Sequence, residues 1–346
     1  MSWLSDCSGL LMNAKEQEAS FWQLWLLSYP GGEARRITGD LSDYDRSVNL
    51  TADSTALISM QEQTLSNIWI SPNGHGGRAT QITSGAGRYF DLSWTADGQI
   101  LYASDASGSA EIWEMESDGT GAKQLTAGTG RNYGPIASPD GRYIIFHSTR
   151  LGRTFHIWRM DADGNNPKQL TSGNTESNFA QISPDGQWVV YTQIVSTGAQ
   201  NVWKVSIDGG NPVQLTDKDS LRPSISPDGK MIACWQSDNQ PSPTWHIALI
   251  PFAGGPPLKL LEIPPGEAAS WGQPLFWSPD GSAVTYVDQL NAVNNVWSQP
   301  IDGGKQTQLT DFKSDQIFSF NWSRDGKLVL SRGVSTSDVI MISDSP

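Results

Sequence analysis

The stretch HIWRMDADGNNPKQLTSGNTESNFAQISPDG, residues 156–186, contains three short motifs that recur along the chain and decide its fold. The first motif is a Trp flanked by apolar residues, the second is QLT, and the third is the turn motif SPDG. QLT-like motifs end at residues 38, 83, 126, 171, 216, 261 and 310, which gives a period of about 45 residues. We count eight copies of this unit in the 346 residues, with no linker between them.

The acidic residues of this stretch allow two interpretations, a calcium loop or a tight turn. Asp161, Asp163 and Asn165 have the spacing of the first half of a helix–loop–helix calcium site. Counted from Asp161, the twelfth position is Ser172 where such a site needs Glu, and the surrounding pattern is that of strands. Corresponding Asp-Gly pairs separate two apolar runs in other repeats, so we predict a β-hairpin turn here.

Each repeat contains four short apolar runs, rich in β-branched and aromatic residues and separated by Gly, Pro, Asp and Ser. Such runs predict strands, and consecutive apolar residues, as in YIIFHS from Tyr143, indicate a sheet covered on both faces. A four-stranded antiparallel sheet repeated at this period is the blade of a β-propeller. We therefore predict one all-β propeller domain over residues 1–346, in which the recurring Trp packs between blades.

The two ends of the chain leave the number of blades open. The eighth repeat stops before a QLT strand, and the first repeat has almost no residues before its turn motif. We expect eight blades, the last of them one strand short. The alternative is seven blades, one of them composite.

Composition excludes several classes of partner. The formal net charge is −13, from 23 Lys and Arg against 36 Asp and Glu, which disfavours nucleic acid and anionic membrane surfaces. The two cysteines, Cys7 and Cys234, are too few for a disulfide framework or a thiolate zinc site. No apolar run of about 18 residues and no signal peptide are visible. We expect a monomer that has no cofactor and does not insert into a membrane.

The connections between strands locate a candidate binding surface. The SPDG and Asp-Gly turns repeat almost unchanged and fall on one face, whereas the connections on the opposite face vary from repeat to repeat. The fourth-to-first connections carry aromatic, cationic and acidic residues of the types that anchor protein interfaces. We predict that a protein or peptide partner binds a surface formed by Tyr44, Arg46, Arg88, Tyr89, Asp91, Arg131, Tyr133, Glu176, Phe179, Arg222, Trp271 and Phe318. The alternative for each residue is packing between blades.

The motifs of common enzymes are missing from the chain. There is no G-x-S-x-G nucleophile motif, no Gly-rich nucleotide loop and no kinase catalytic loop. The four histidines, His75, His147, His156 and His246, are interpreted as surface residues rather than metal ligands. We therefore predict a protein without catalytic activity. The alternative is a carbohydrate-active enzyme, a lyase or hydrolase, that uses the mouth of the channel.

The order of apolar strand, SPDG, apolar strand, Ile-Trp, Asp-Gly and QLT resembles the WD-like repeat of TolB-like propellers. Similar propellers are appended to bacterial serine/threonine kinases and to winged-helix regulators. The resemblance covers essentially the full length of the chain, and it implies a sensor or scaffold module of a larger bacterial system. It also implies a periplasmic or otherwise extracytoplasmic location.

Overall fold

The computed structural model describes residues 1–16, 21–44, 48–52, 55–72, 74, 79–85, 87–195, 198–238, 240, 243–262, 274–290 and 293–343. Within these ranges all regular secondary structure is β-strand, which confirms the all-β expectation. The described part of the chain contains no helix long and apolar enough to cross a membrane.

The first repeat forms a four-stranded antiparallel sheet of its own, which we call the N-terminal sheet. Its strands, in spatial order, are β1 (Ser2–Trp3), β2 (Gly9–Ala14), β3 (Gln23–Ser28) and β4 (Ala34–Arg36). The chain continues with β5 (Val48–Leu50), β6 (Ala56–Ser71) and β7 (Thr80–Gln81).

Repeats three to seven each form one four-stranded antiparallel blade from consecutive strands, as predicted. The first blade contains β8 (Tyr89–Trp94), β9 (Ile100–Ser104), β10 (Glu111–Met115) and β11 (Lys123–Gln124), and the second contains β12 (Asn132–Ala137), β13 (Tyr143–Ser148), β14 (His156–Asp161) and β15 (Lys168–Gln169). The third contains β16 (Glu176–Ile182), β17 (Trp188–Ile194), β18 (Gln200–Ser206) and β19 (Val213–Gln214), and the fourth contains β20 (Ser220–Ile225), β21 (Met231–Ser237), β22 (Trp245–Pro251) and β23 (Lys259–Leu261). The fifth contains β24 (Leu275–Trp277), β25 (Ala283–Leu290), β26 (Val293–Pro300) and β27 (Thr307–Gln308). The last strands are β28 (Gln316–Trp322) and β29 (Leu328–Ser343).

The sixth blade is composite, because β29 pairs with β6 from the other end of the chain. These strands have 16 residues each and pair antiparallel from Leu328 opposite Ser71 to Ser343 opposite Ala56. The halves nearest Ser71 lie between β28 and β7, so this blade takes two strands from the eighth repeat and two from the second. The other halves continue outward as a ribbon, which β5 extends at its edge.

The expected count of eight blades is not confirmed. The described inner strands that line the channel are six, β8, β12, β16, β20, β24 and β28. The alternative included a composite blade, and the second and eighth repeats do share one, but the first repeat lies outside the ring. Neither β6 nor β29 has a turn within its 16 residues, so the second and eighth repeats do not each form a separate blade.

The turn motifs recur because their side chains close the same hydrogen bonds in successive blades. The Thr171 hydroxyl of QLT accepts a hydrogen bond from the Ile157 backbone N–H at 2.9 Å, which fixes the fourth strand to the third. In SPDG the Ser138 hydroxyl donates to the Asp140 carboxylate at 2.6 Å. Residues 161–165 form a hairpin turn, as the sequence indicates, since the backbone N–H of residue 161 donates to the carbonyl of residue 165 at 2.9 Å.

The hydrophobic core lies between neighbouring blades. Leu221 and Trp235 of the fourth blade pack in one cluster with Leu275 and Tyr286 of the fifth, and Trp297 lies at its edge. The other Trp residues of this series that join such clusters are Trp69, Trp113, Trp158 and Trp203. The prediction that these indoles belong to the core between blades is confirmed.

The two ends of the channel differ in which connections surround them. Residues of the SPDG turns, such as Thr95 and Gly141, share one cavity with Asp163 of an Asp-Gly turn, which places both kinds of turn on one face. We call this the lower face. The upper face carries the second-to-third and fourth-to-first connections, and the Phe21 ring beside the N-terminal sheet contacts it, at 4.4 Å from the Arg88 guanidinium carbon.

Candidate functional site

The upper part of the channel is lined by one residue from each inner strand. In all six strands this residue stands four positions before the first residue of the turn motif. We call these residues the upper layer: Asp91, Gly134, Phe179, Arg222, Pro274 and Ser319. They surround a cavity of about 60 Å³.

A β-bulge directs the upper-layer residues into the channel. The pairing of inner and second strands shifts by one residue at Asp91, Gly134, Phe179 and Arg222. Their φ angles are 52°, 61°, 53° and 56°, in the left-handed region that glycine adopts most easily. A bulge of this kind re-aims a side chain out of the regular alternation of a strand. Three of the four positions nevertheless carry Asp, Phe or Arg.

Opposite charges face each other across the channel. Asp91 lies on the first blade and Arg222 on the fourth, which are diametrically opposed positions in a ring of six. Burial raises the pKa of the Asp91 carboxyl, and the Arg222 charge opposes that rise. Burial also lowers the pKa of Arg222 to about 10, so the guanidinium stays charged near neutral pH.

The charged groups have few partners in the protein. The Asp91 carboxylate accepts a hydrogen bond from the Gly134 backbone N–H at 3.1 Å. The Arg222 guanidinium carbon lies 3.4 Å from the centroid of the Phe179 ring, a cation–π contact. Within the described residues the buried Nε of Arg222 has no hydrogen-bond partner. The site is therefore polar, enclosed and incompletely satisfied.

His147 lies beside the upper layer, which corrects its interpretation as a surface residue; His246 is partly exposed, and His75 lies outside the described residues. The His147 side chain is buried, as is that of His156. The His147 ring stacks on Tyr133 at 5.8 Å between centroids and meets Phe155 edge-on at 5.4 Å. Burial lowers the pKa of His147 to about 3, and the Arg222 charge lowers it further. The imidazole is neutral, and its buried Nδ1 has no partner among the described residues.

Below the upper layer the channel widens towards the lower face. A second set of residues, two positions before each turn motif, lines this lower part: Ser93, Ile136, Gln181, Ser224, Phe276 and Asn321. The cavity at this end has a volume of about 590 Å³. Its outer rim is formed by turn residues, among them Pro139, Pro184, Pro227 and Pro279.

The structure brings only part of the predicted surface together. Asp91, Phe179 and Arg222 converge in the upper layer. Tyr133 lies beside them against His147, and the Arg131 guanidinium covers the Phe155 ring at 5.1 Å. These residues form one continuous aromatic and charged patch at the upper mouth.

Other predicted residues lie apart from this patch. Arg88 pairs with Asp105 and contacts the Phe21 ring, and Tyr89 packs among the interior residues of the first blade. Glu176 and Phe318 are partly buried on β16 and β28.

Tyr44 is 2% exposed because it packs between the N-terminal sheet and the ribbon, so it is not accessible to a partner. Arg46 and Trp271 lie outside the described residues.

The sequence interpretation missed Gly134, Pro274, Ser319 and His147. Counting four residues back from each turn motif would have found the first three, since the inner strand has a constant length up to the turn. His147 gave no such signal, because it belongs to a second strand. Among the described residues, no three His, Cys, Asp or Glu side chains form a group that could hold a metal ion.

The sequence and the fold of this chain are similar to those of known proteins. Residues 52–220 match the family model described as the TolB beta propeller domain. This segment, just under half of the chain, is therefore similar to TolB beta propellers. The chain is 30% identical over 155 residues to an uncharacterised protein of Agrobacterium fabrum, a match covering 44% of this chain and 51% of that protein. The match thus spans about half the length of this curated relative.

Two solved structures are similar to this chain over more of its length. A candidate TolB protein from Agrobacterium tumefaciens has a TM-score of 0.64 at 21% identity, covering 78% of this chain and 98% of its own. TolB from Acinetobacter baumannii has a TM-score of 0.54 at 16% identity, covering 96% of this chain and 81% of its own. At these identities the likeness concerns the fold alone.

Proposed function

We propose that this TolB-like propeller is a non-catalytic module that binds a protein or peptide partner on its upper face. The observation that supports the proposal is the patch at the upper mouth, where Arg131 lies over Phe155 and Arg222 over Phe179. Arg and aromatic side chains are the types that concentrate binding energy in protein interfaces.

The position of the patch also favours the binding of a partner. A rigid ring holds these side chains at the mouth of a channel, so that little conformational entropy is lost when a partner binds. In keeping with the family likeness, the propeller would act as a sensor or scaffold in a larger bacterial system outside the cytoplasm. The described residues give the carbohydrate-active alternative no specific support, and we do not propose it.

Photo-crosslinking at two matched positions of the second blade tests the proposal. Leu151, 75% exposed, lies in the β13–β14 connection on the upper face, and Asn165 lies in the exposed β14–β15 turn on the lower face. A photoreactive amino acid is placed at either position, and crosslinking is carried out in the bacterial cells that produce the full-length protein. We expect a discrete crosslinked product from position 151 that is missing from position 165.

The patch itself is tested with the same crosslinker. Adding Arg131→Ala to the position-151 protein should weaken the product, whereas adding Arg142→Ala on the lower face should not. A product formed equally from both positions, or one insensitive to Arg131→Ala, would show that the partner does not bind this patch.

A further inference from the structure

The upper layer contains backbone strain at three residues other than glycine. Gly134 occupies the bulge position of the second blade without penalty, whereas Asp91, Phe179 and Arg222 occupy the same position with positive φ. A left-handed conformation costs a residue other than glycine about 1–3 kcal/mol. Because glycine would relieve the cost, these side chains point to a role inside the channel.

The Asp91 carboxylate is held by one backbone hydrogen bond and the Arg222 guanidinium by a ring contact. No ion pair within the described ranges involves either Asp91 or Arg222. Burying a charge without a close opposite charge is unfavourable. The two groups lie on opposite walls of the cavity, so a ligand between them could contact both.

The cavity limits the size of such a ligand. Its volume is about 60 Å³, and one buried water needs roughly 10–15 Å³ of such space, so about four to six non-hydrogen atoms fit. The walls offer Ser319 and Asn321 as further hydrogen-bonding groups.

We propose that the upper layer binds a small zwitterion of amino-acid size, with its anionic group on Arg222 and its cationic group on Asp91. The planar guanidinium, already stacked on Phe179, offers donors in a fork that matches a carboxylate. The ligand ammonium supplies the counter-charge that Asp91 lacks. This inference does not depend on the partner proposed for the upper face.

Calorimetry with a series of unbranched amino acids tests the zwitterion site. Glycine, β-alanine, 4-aminobutyrate and 6-aminohexanoate carry the same two charges at increasing separation, and butyrate and butylamine carry one charge each. Glycine and β-alanine are the members that fit the cavity, and we expect one of them to bind the purified full chain at least about tenfold more tightly than either singly charged compound, as loss of a charged hydrogen bond implies. The two longer amino acids exceed the cavity and should bind more weakly.

Conservative variants assign the binding to the upper layer. Asp91→Asn keeps an acceptor for the Gly134 N–H, and Arg222→Gln introduces no new backbone strain because glutamine replaces another residue with a side chain. Each should weaken zwitterion binding at least about tenfold, whereas Arg142→Gln on the lower face should leave it unchanged. Circular dichroism confirms that each variant is folded.

Two results would overturn the inference. The first is that folded wild-type protein binds none of the four amino acids more tightly than butyrate or butylamine. The second is that a zwitterion binds but Asp91→Asn and Arg222→Gln leave its affinity unchanged, which would place the ligand elsewhere.

Discussion

The lower and upper ends of the channel are built from the same six inner strands, yet they follow different rules. At the lower end the SPDG turns repeat almost unchanged, and their polar side chains bond to each other, as Ser183 does to Asp185 at 2.5 Å. At the upper end the equivalent positions carry Asp, Gly, Phe, Arg, Pro and Ser, with strained backbone and unpartnered atoms. Repetition marks the positions that hold the ring together, and variation marks the positions at which we propose that ligands or partners bind.

This comparison assumes that one closed ring supports both ends, and removing the closing strand has the largest expected effect. Deleting residues 323–346 removes β29, leaving β6 without its partner and two neighbouring blades exposed. We expect the deletion to lower the free energy of unfolding by about 5 kcal/mol or more, which is comparable to the whole stability of a typical domain, about 5–15 kcal/mol. Cooperative unfolding in urea should therefore be lost.

The matched control deletes residues 1–36, which form the N-terminal sheet outside the ring. This variant should retain a cooperative transition, because the six blades remain complete. Cooperative unfolding of the 323–346 deletion at the wild-type urea concentration would contradict ring closure by β29.

A pair of glycine substitutions compares the two ends directly. At the upper end, a Cβ on Gly134 would lie 2.8 Å from the ring of the buried His147, whereas at the lower end a Cβ on Gly186 meets only Pro139 at 3.7 Å. Both glycines have positive φ, so both alanine variants carry a backbone cost of about 1–2 kcal/mol. Gly134→Ala should lose about 1–3 kcal/mol more because of overpacking.

Urea unfolding of the two variants measures the difference. Equal losses of unfolding free energy would mean that His147 and the aromatic side chains packed against it move easily to make room for the added methyl group. The upper end would then be less rigid than we describe.

The response to pH distinguishes the two ends by the pH range in which each loses stability. The pKa of His147 is about 3 when folded, against 6.5 as its usual value, so the unfolded chain binds the proton more readily. Its contribution to stability is complete above about pH 6.5 and is lost as the pH falls towards 3. At the lower end, hydrogen bonds from Ser138 and Arg142 lower the pKa of Asp140 to about 2, so its contribution is lost only below about pH 4.

His147→Phe keeps an aromatic ring in place and removes the titrating group. Between pH 7 and pH 4 its unfolding free energy should fall less steeply than that of the wild type, while His156 continues to contribute in both proteins. Below about pH 3 the two curves should run parallel. Identical slopes between pH 7 and pH 4 would exclude a role for His147 in acid sensitivity.

Much of the architecture was accessible from the sequence because the repeated positions have repeated physical reasons. The Thr of QLT and the Ser of SPDG each close a hydrogen bond that every blade needs, so they recur and reveal the period. Asp91, Phe179 and Arg222 were identified as candidates because the variable fourth-to-first connections carry aromatic and charged side chains of the types that anchor interfaces.

What the sequence did not reveal depends on contacts between distant parts of the chain. Nothing local in DVIMI, from Asp338, shows that it extends β29 instead of starting a third strand. Tyr44 looked like a surface aromatic because the N-terminal sheet that buries it could not be placed from the repeat pattern. The charge pair across the channel was hidden for the same reason, since Asp91 and Arg222 lie three blades apart.

The pairing of β6 with β29 also dictates an order of events during synthesis. The ribosome makes β6 and β7 before any complete blade, and β29 only after all five of the others. Until then half of the sixth blade has no partner, and its open strand edge is exposed to association with other chains. The ring therefore cannot close until β29 has been synthesised, after the strands of the five other blades.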